Sequence, residues 1–205
     1  MLTLASPSRE RGMSVIEVMV AITLMALLIA LGAPSFVTGM QNRQIRSAAD
    51  AIQNGLQIAR TEALRRNRIV KFHLRDGTSW TVGCDPVDTT LVDGQENCPA
   101  ELQKREAAEG SVKAEVTSVQ LVQASGAPAS TPVFTGDLRF TPLGRLAADT
   151  LPGGNIAEYQ IANPSAGTCV GAGGDMRCLS IRVTASGQIR MCDPAVTAAG
   201  DSRAC

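Results

Sequence analysis

RGMSVIEVMVAITLMALLIALGAPSF, residues 11–36, decides how the rest of the chain is read. From Val18 to Val37 there are twenty residues without a charge, enough for a helix to cross the roughly 30 Å hydrocarbon core of a bilayer. A carboxylate, Glu17, stands at the start of that run. An ionised carboxylate in mid-bilayer costs about 3 kcal/mol on insertion scales, so one placed there invites a functional reading. At the edge of the run, Glu17 also fits the membrane interface of an ordinary anchor. The residues on either side decide between the two.

Across all 205 residues basic and acidic side chains balance at 19 each, so overall charge points to no class of partner. Aromatics are only 3% of the chain, which limits any surface that would stack bases or sugars. Beyond residue 68 apolar residues come in short alternating bursts separated by Gly, Pro, Ser and Asp. An anchor followed by a turn-rich head is the organisation this implies.

Six cysteines, Cys84, Cys98, Cys169, Cys178, Cys192 and Cys205, all follow the apolar run. None forms a C-x-x-C, and the single His73 leaves no zinc spacing, so no metal is expected. An even count on an exported head reads as disulfides in an oxidising compartment; buried free thiols of a cytosolic protein are the rival. Sequence alone does not choose among the 15 connectivities. Nearest-neighbour pairing, Cys84–Cys98, Cys169–Cys178 and Cys192–Cys205, closes three short loops rich in turn residues and is the expectation.

The run is long for a secretory signal core, although Ala30-Leu31-Gly32 offers a small-residue cleavage site. Its pattern also continues. Ile45, Ala49, Ile52, Leu56, Ala59 and Ala63 recur at steps of four and three on one helical face, with Arg46, Asp50, Gln53, Gln57 and Arg60 on another. One helix is expected from about Ser14 to Asn67, apolar all round in its first half and one-sided in its second. It would be about 80 Å long, with a kink at Pro34.

A basic leader ending in Gly12, Glu17 five residues later and a long apolar helix behind resemble the class III signal of the type IV pilin superfamily. The resemblance implies cleavage by a prepilin peptidase between Gly12 and Met13, N-methylation of Met13, and a pairing of Glu17 with the N-terminus of a neighbouring subunit in a filament core. Pro34 falls where pilins commonly kink; Met13 replaces the more usual Phe. The implied organisation is a cleaved leader at residues 1–12, a transmembrane and filament-core helix at 13–37, an amphipathic helix at 38–68 and a β-rich periplasmic head at 69–205. The implied location is the bacterial inner membrane, single-pass, before assembly into a pilus or pseudopilus.

In the head, RIVKFHLR (68–75), the turn Asp76-Gly77 and SWTVGC (79–84) read as a hairpin. Further strands are expected at Val112–Val119, Leu138–Thr141 continuing past Pro142-Leu143-Gly144 into Arg145-Leu146, Ile156–Ala162, Cys178–Ala185 and Gln188–Cys192, with a turn at Ser186-Gly187. Loops are expected at 85–99 and 123–132; residues 101–109 fit helix or strand equally. The fold class is α+β, a long N-terminal helix packed on an antiparallel sheet. AIQNGLQIARTEALRRNRIVKFHL (51–74), LRFTPLGRL (138–146) and VTASGQIRMCDP (183–194) resemble the GspH/FimT group of minor pilins and pseudopilins. The cysteine-closed ending resembles minor pilins of type IV pili more than secretion pseudopilins.

No nucleophile–base pair or phosphate loop is visible, so no enzyme and no cofactor are expected. His73 reads as a solvated strand residue and VGAGGD (170–175) as a flexible loop. Asp85, Asp88 and Asp93 do not follow a calcium loop. The Glu62 carboxylate is spaced to meet Arg65 and Arg66 near the helix end. DNA binding is the second function weighed: some relatives carry Gly-Arg-x-Arg near the C-terminus, and Gly187-Gln188-Ile189-Arg190 keeps one of its two arginines. Arg190, Arg182, Arg177 and Arg203 are the candidate patch, set against 17 basic and 18 acidic residues over 13–205. The favoured function is a minor pilin that primes or caps a type IV pilus, with other pilin subunits as partners. The alternatives are a type II secretion pseudopilin and a DNA-binding pilus-tip subunit.

Overall fold

The computed structural model describes residues 12–87, 98–123, 134–151, 155–198 and 200–205. The readings on Arg9, Glu10, Arg11, Asp88, Asp93, most of the two long loops and the side chain of Pro34 lie outside them. The chain divides into two compact units at Val37/Thr38.

Helix α1 runs from Val15 to Arg66. The Ser14 carbonyl opens it by accepting from the amides of Glu17 (3.0 Å) and Val18 (3.2 Å). At the other end Asn67 turns left-handed, with φ 53°, a conformation asparagine tolerates better than most residues. The Arg68 amide then reaches back to the Ala63 carbonyl at 3.3 Å, closing the last turn. Glu62 accepts from Arg65 at 2.9 Å and Arg66 at 2.7 Å. Partial burial works against its charge, but these two hydrogen bonds and charges prevail and hold the carboxyl below its ordinary range.

Among the described residues the head holds two four-stranded antiparallel sheets, where the sequence reading had one. Strands β1 (Val70–Leu74), β2 (Trp80–Cys84), β3 (Gln103–Arg105) and β5 (Leu138–Phe140) form the first, in the order β3-β2-β1-β5. Strands β4 (Glu115–Val122), β6 (Ile156–Ala162), β7 (Leu179–Val183) and β8 (Ile189–Cys192) form the second, in the order β4-β6-β7-β8. The ambiguous stretch 101–109 supplies β3, and β4 begins three residues later than expected. Gly110, at φ 98°, reverses the chain, and the buried Ser111 hydroxyl meets Thr78 Oγ1 at 2.7 Å. That anchored turn leaves Val112 exposed, so pairing starts only at Glu115.

Both sheets share one core with the second part of α1. Ile45, Ala49, Ile52, Leu56, Ala59 and Ala63 are fully buried, as are Val70, Phe72 and Leu138 from the first sheet and Tyr159, Ile161 and Ile181 from the second. Aromatic rings meet at the seam: Phe72 lies 6.0 Å from Trp80 of its own sheet and 6.2 Å, edge-on, from Tyr159 of the other, separations at which such pairs attract. The Tyr159 hydroxyl donates to the Gly136 carbonyl at 2.7 Å. Burial, helped by Asp137, raises the Tyr159 pKa well above 10; the unfolded chain therefore loses this proton first, and the residue favours unfolding increasingly above pH 10.

The three stretches that carry the resemblance meet at one junction. The turn after β5 places Gly144 against Arg60 and Leu64 of α1. Gly187, at φ 80°, rests on the Gly144 carbonyl so closely that a Cβ there would collide with it, and the Leu146 amide donates to Ala185 at 3.1 Å. A second close approach sits at the middle of the core, where a Cβ on Gly55 would stand 2.7 Å from Trp80 Cε2 and 2.9 Å from Phe72 Cε2. Gly55→Val should therefore destabilise the head by about 2 kcal/mol through overpacking. Urea unfolding followed by fluorescence of the single, buried Trp80 checks it; an unchanged midpoint would refute the close packing.

Candidate functional site

The unit ending at Val37 presents an unusual surface. Every residue from Met13 to Ala33 is exposed, and the mean hydropathy of an 18-residue window reaches 2.5 with none of it buried. A helix apolar on all sides needs lipid or other apolar helices around it. Its one hydroxyl in mid-run, Thr23, donates back to the carbonyls of Met19 (3.1 Å) and Val20 (2.9 Å), the arrangement a polar group needs away from water. Gly12 and Met13 precede the helix in non-helical backbone, Glu17 lies in its first turn and Pro34 lies within it. The helix N-terminus favours a carboxylate at that place. Glu17 has no cation partner among the described residues.

The three disulfides link Cys84 with Cys98, Cys169 with Cys178 and Cys192 with Cys205. The second staples the glycine-rich stretch, whose loop is a hydrogen-bonded turn: Val170 N–H donates to Met176 O at 2.8 Å and Gly174 N–H to Cys169 O at 3.0 Å. The third folds the tail back on β8, where Asp193 bridges to Ala204.

The candidate arginines divide into two groups. Cross-strand register sets Glu158, Arg182 and Arg190 in one row across β6, β7 and β8. Arg182 donates to Glu158 Oε2 at 3.0 Å and 3.2 Å, and to the Cys205 carbonyl. Arg190 donates to the carbonyls of Ala204 (3.1 Å) and Cys205 (3.3 Å). These two guanidiniums thus hold the tail down, with the buried Glu158 beneath them. Arg177 and Arg203 instead line a separate cleft with Arg46 of α1. Arg203 is clamped to Asp201 at 2.7 Å and 3.1 Å. Hydrogen bonds from the Arg203 side chain and amide hold the Asp201 carboxyl down to about 2.

Sequence reasoning missed Glu158, because only the pairing of β6 with β7 reveals its partner. It also gave His73 no partner, whereas His73 Nδ1 lies 2.7 Å from Asp137 Oδ1. Asp85, weighed for calcium, is ion-paired with Arg139 at 3.0 Å. Among the described residues no group of three or more His, Cys, Asp and Glu could hold a metal ion.

Two outcomes follow. Arg182→Ala leaves Glu158 buried and unpaired, which should cost about 3 kcal/mol in urea unfolding, whereas the double variant Glu158→Leu/Arg182→Met should cost less than that single change. Asp201 titrates lower in the folded chain than in the unfolded one. Its contribution is therefore present above about pH 4 and lost as pH falls through about 2, and an NMR titration of its carboxyl carbon should show that low midpoint.

A family profile described as Type II transport protein GspH matches residues 48–187. A second, described as a prokaryotic N-terminal methylation motif, matches residues 7–33. No curated protein matches the chain. Two crystal forms of the type IV minor pilin FimU of Pseudomonas aeruginosa PAO1 are similar in structure. One is 20% identical with a TM-score of 0.44, covering 73% of this chain and 88% of that one. The other is 19% identical with a TM-score of 0.42, covering 71% and 90%. The GspH match alone takes in more than half of the residues, and the methylation motif precedes it. The chain belongs to the GspH family and carries the prokaryotic N-terminal methylation motif ahead of that match.

Proposed function

We propose that this chain is a structural subunit that primes or caps a type IV pilus, processed between Gly12 and Met13, N-methylated at Met13 and held in the bacterial inner membrane by residues 13–37 with a periplasmic head. The observation that carries the reading is the apolar helix exposed on every side, with Glu17 in its first turn and no partner for that carboxylate in the described chain. In a lone anchor Glu17 is a cost. In a bundle of such helices the positive N-terminus of a neighbour compensates it, because a buried charge is tolerated when paired. One allowed partner also sets the axial register between subunits.

A second reading has its own support: the family profile is described by type II transport, which favours a secretion pseudopilin. The disulfide-closed tail, which resembles minor pilins more, favours the pilus. DNA uptake is the weakest of the three. Arg182 and Arg190 are engaged with Glu158 and with tail carbonyls, so a phosphate would have to displace both sets of partners.

Two measurements test the proposal. Mass spectrometry of the chain from its native membrane should find an N-methylated Met13 at the N-terminus; a start near Ala33 would mean ordinary secretion. Glu17→Ala should leave membrane insertion intact and reduce recovery in sheared fibres at least about tenfold, the equivalent of a single interaction of ~1.4 kcal/mol. Normal incorporation of that variant would sink the pairing. Loss of surface pili with secretion intact, on deleting the chain, selects the pilus over the secretion machine.

A further inference from the structure

A cleft of 360 Å³ opens in the head between the early helical turns of that unit and the tail. Leu179 and Met191 contribute apolar walls, while Arg46, Arg177 and Arg203 supply the charge. The three cations are not equivalent. Arg203 is committed to Asp201. Arg46 meets Asp50 at 3.3 Å, but both side chains are more than half exposed, so water screens the pair and another anion can replace it. Arg177 is exposed, and its guanidinium has no hydrogen-bond or ion partner among the described residues. Its backbone is fixed, since the Arg177 amide donates to Asn42 Oδ1 at 2.8 Å. Asp193 also lines the cleft, and its Oδ1 is occupied by the Ala195 amide at 2.9 Å.

We infer that this cleft binds the phosphate of an anionic phospholipid headgroup through Arg46 and Arg177, with the glycerol side of the lipid against Leu179 and Met191. Planar guanidiniums match phosphate oxygens with paired hydrogen bonds, and the cleft joins such donors to an apolar wall. The source of the anion follows from chain position. Asn42 and Arg46 stand five and nine residues beyond Val37, within about 18 Å and 32 Å of it by any path of the backbone. Residues 18–49 contain Arg43 and Arg46 and no carboxylate, the charge pattern by which a juxtamembrane segment is drawn to anionic lipid. The inference rests on the membrane-anchored reading above and adds a step to it. The headgroup contact holds the head at the bilayer before assembly and must be given up when the subunit leaves.

The test reconstitutes the full chain in nanodiscs of phosphatidylcholine, with and without phosphatidylglycerol, and follows amide hydrogen exchange. Phosphatidylglycerol should slow exchange at residues 177–179 and 191–193 by roughly tenfold, in line with what one or two juxtamembrane arginines contribute. The double variant Arg46→Gln/Arg177→Gln should abolish the effect, and Lys113→Gln, an exposed cation outside both the cleft and the juxtamembrane segment, should keep it. Unaltered exchange in β1 shows that each variant is folded. Equal exchange in the two lipids overturns the site. Protection by added polyglutamate, with none from phosphatidylglycerol, overturns it in favour of an acidic protein partner. A chain that fails to enter nanodiscs at all overturns the anchored reading, and this inference with it.

Discussion

Both sheets of the head depend on one stripe of small and branched side chains along the second part of α1. Ala48, Ala49, Ala59 and Ala63 are fully buried there beside Ile45, Ile52 and Leu56, and Gly55 admits the rings of Trp80 and Phe72. Small residues let two sheets approach the same helix, because each side chain that is missing becomes room for a ring or a β-branched residue opposite. In a close-packed interior that room cannot be left empty or overfilled without cost. The rest follows. Tyr159 can reach Gly136 across the seam only because the two sheets converge on this stripe.

Much of this was legible in the sequence, for local reasons. Steps of three and four from Ile45 to Ala63 named the buried face, and alternation in VKFHL and IAEYQIA named strands. Capping was less visible: Asn67 ends α1 by a left-handed turn that the sequence only permits. The two-sheet arrangement was not legible, because strand spacing says nothing of which strands pair. The late start of β4 was hidden for a related reason. The Thr78–Ser111 contact that delays it joins residues 33 apart in sequence.

The candidate sites divide along the same line. Gly12, Met13 and Glu17 are close in sequence and were read as one group. The arginines were read as a patch because Arg177 and Arg182 were placed on the strand adjoining Arg190, with Arg203 in the tail; Arg177 instead precedes β7, outside any strand, and lines the other cleft with Arg203. Arg182 answers a buried carboxylate, whereas the Arg177 side chain answers none among the described residues. The same residue type thus serves cohesion in one place and leaves charge available in another, and only the folded chain tells the two apart.

The disulfides span 14, 9 and 13 residues of sequence, and no cysteine belongs to α1. No covalent cross-link therefore joins the helix to either sheet; beyond the chain itself, the head is held to α1 by packing and hydrogen bonds. A pull applied along α1 would load that stripe in shear while leaving all three sulfur bridges slack. The bridges guard the rims and tail of the head against fraying. The mechanical strength of the joint is set by how closely alanines, Gly55 and two aromatic rings fit together.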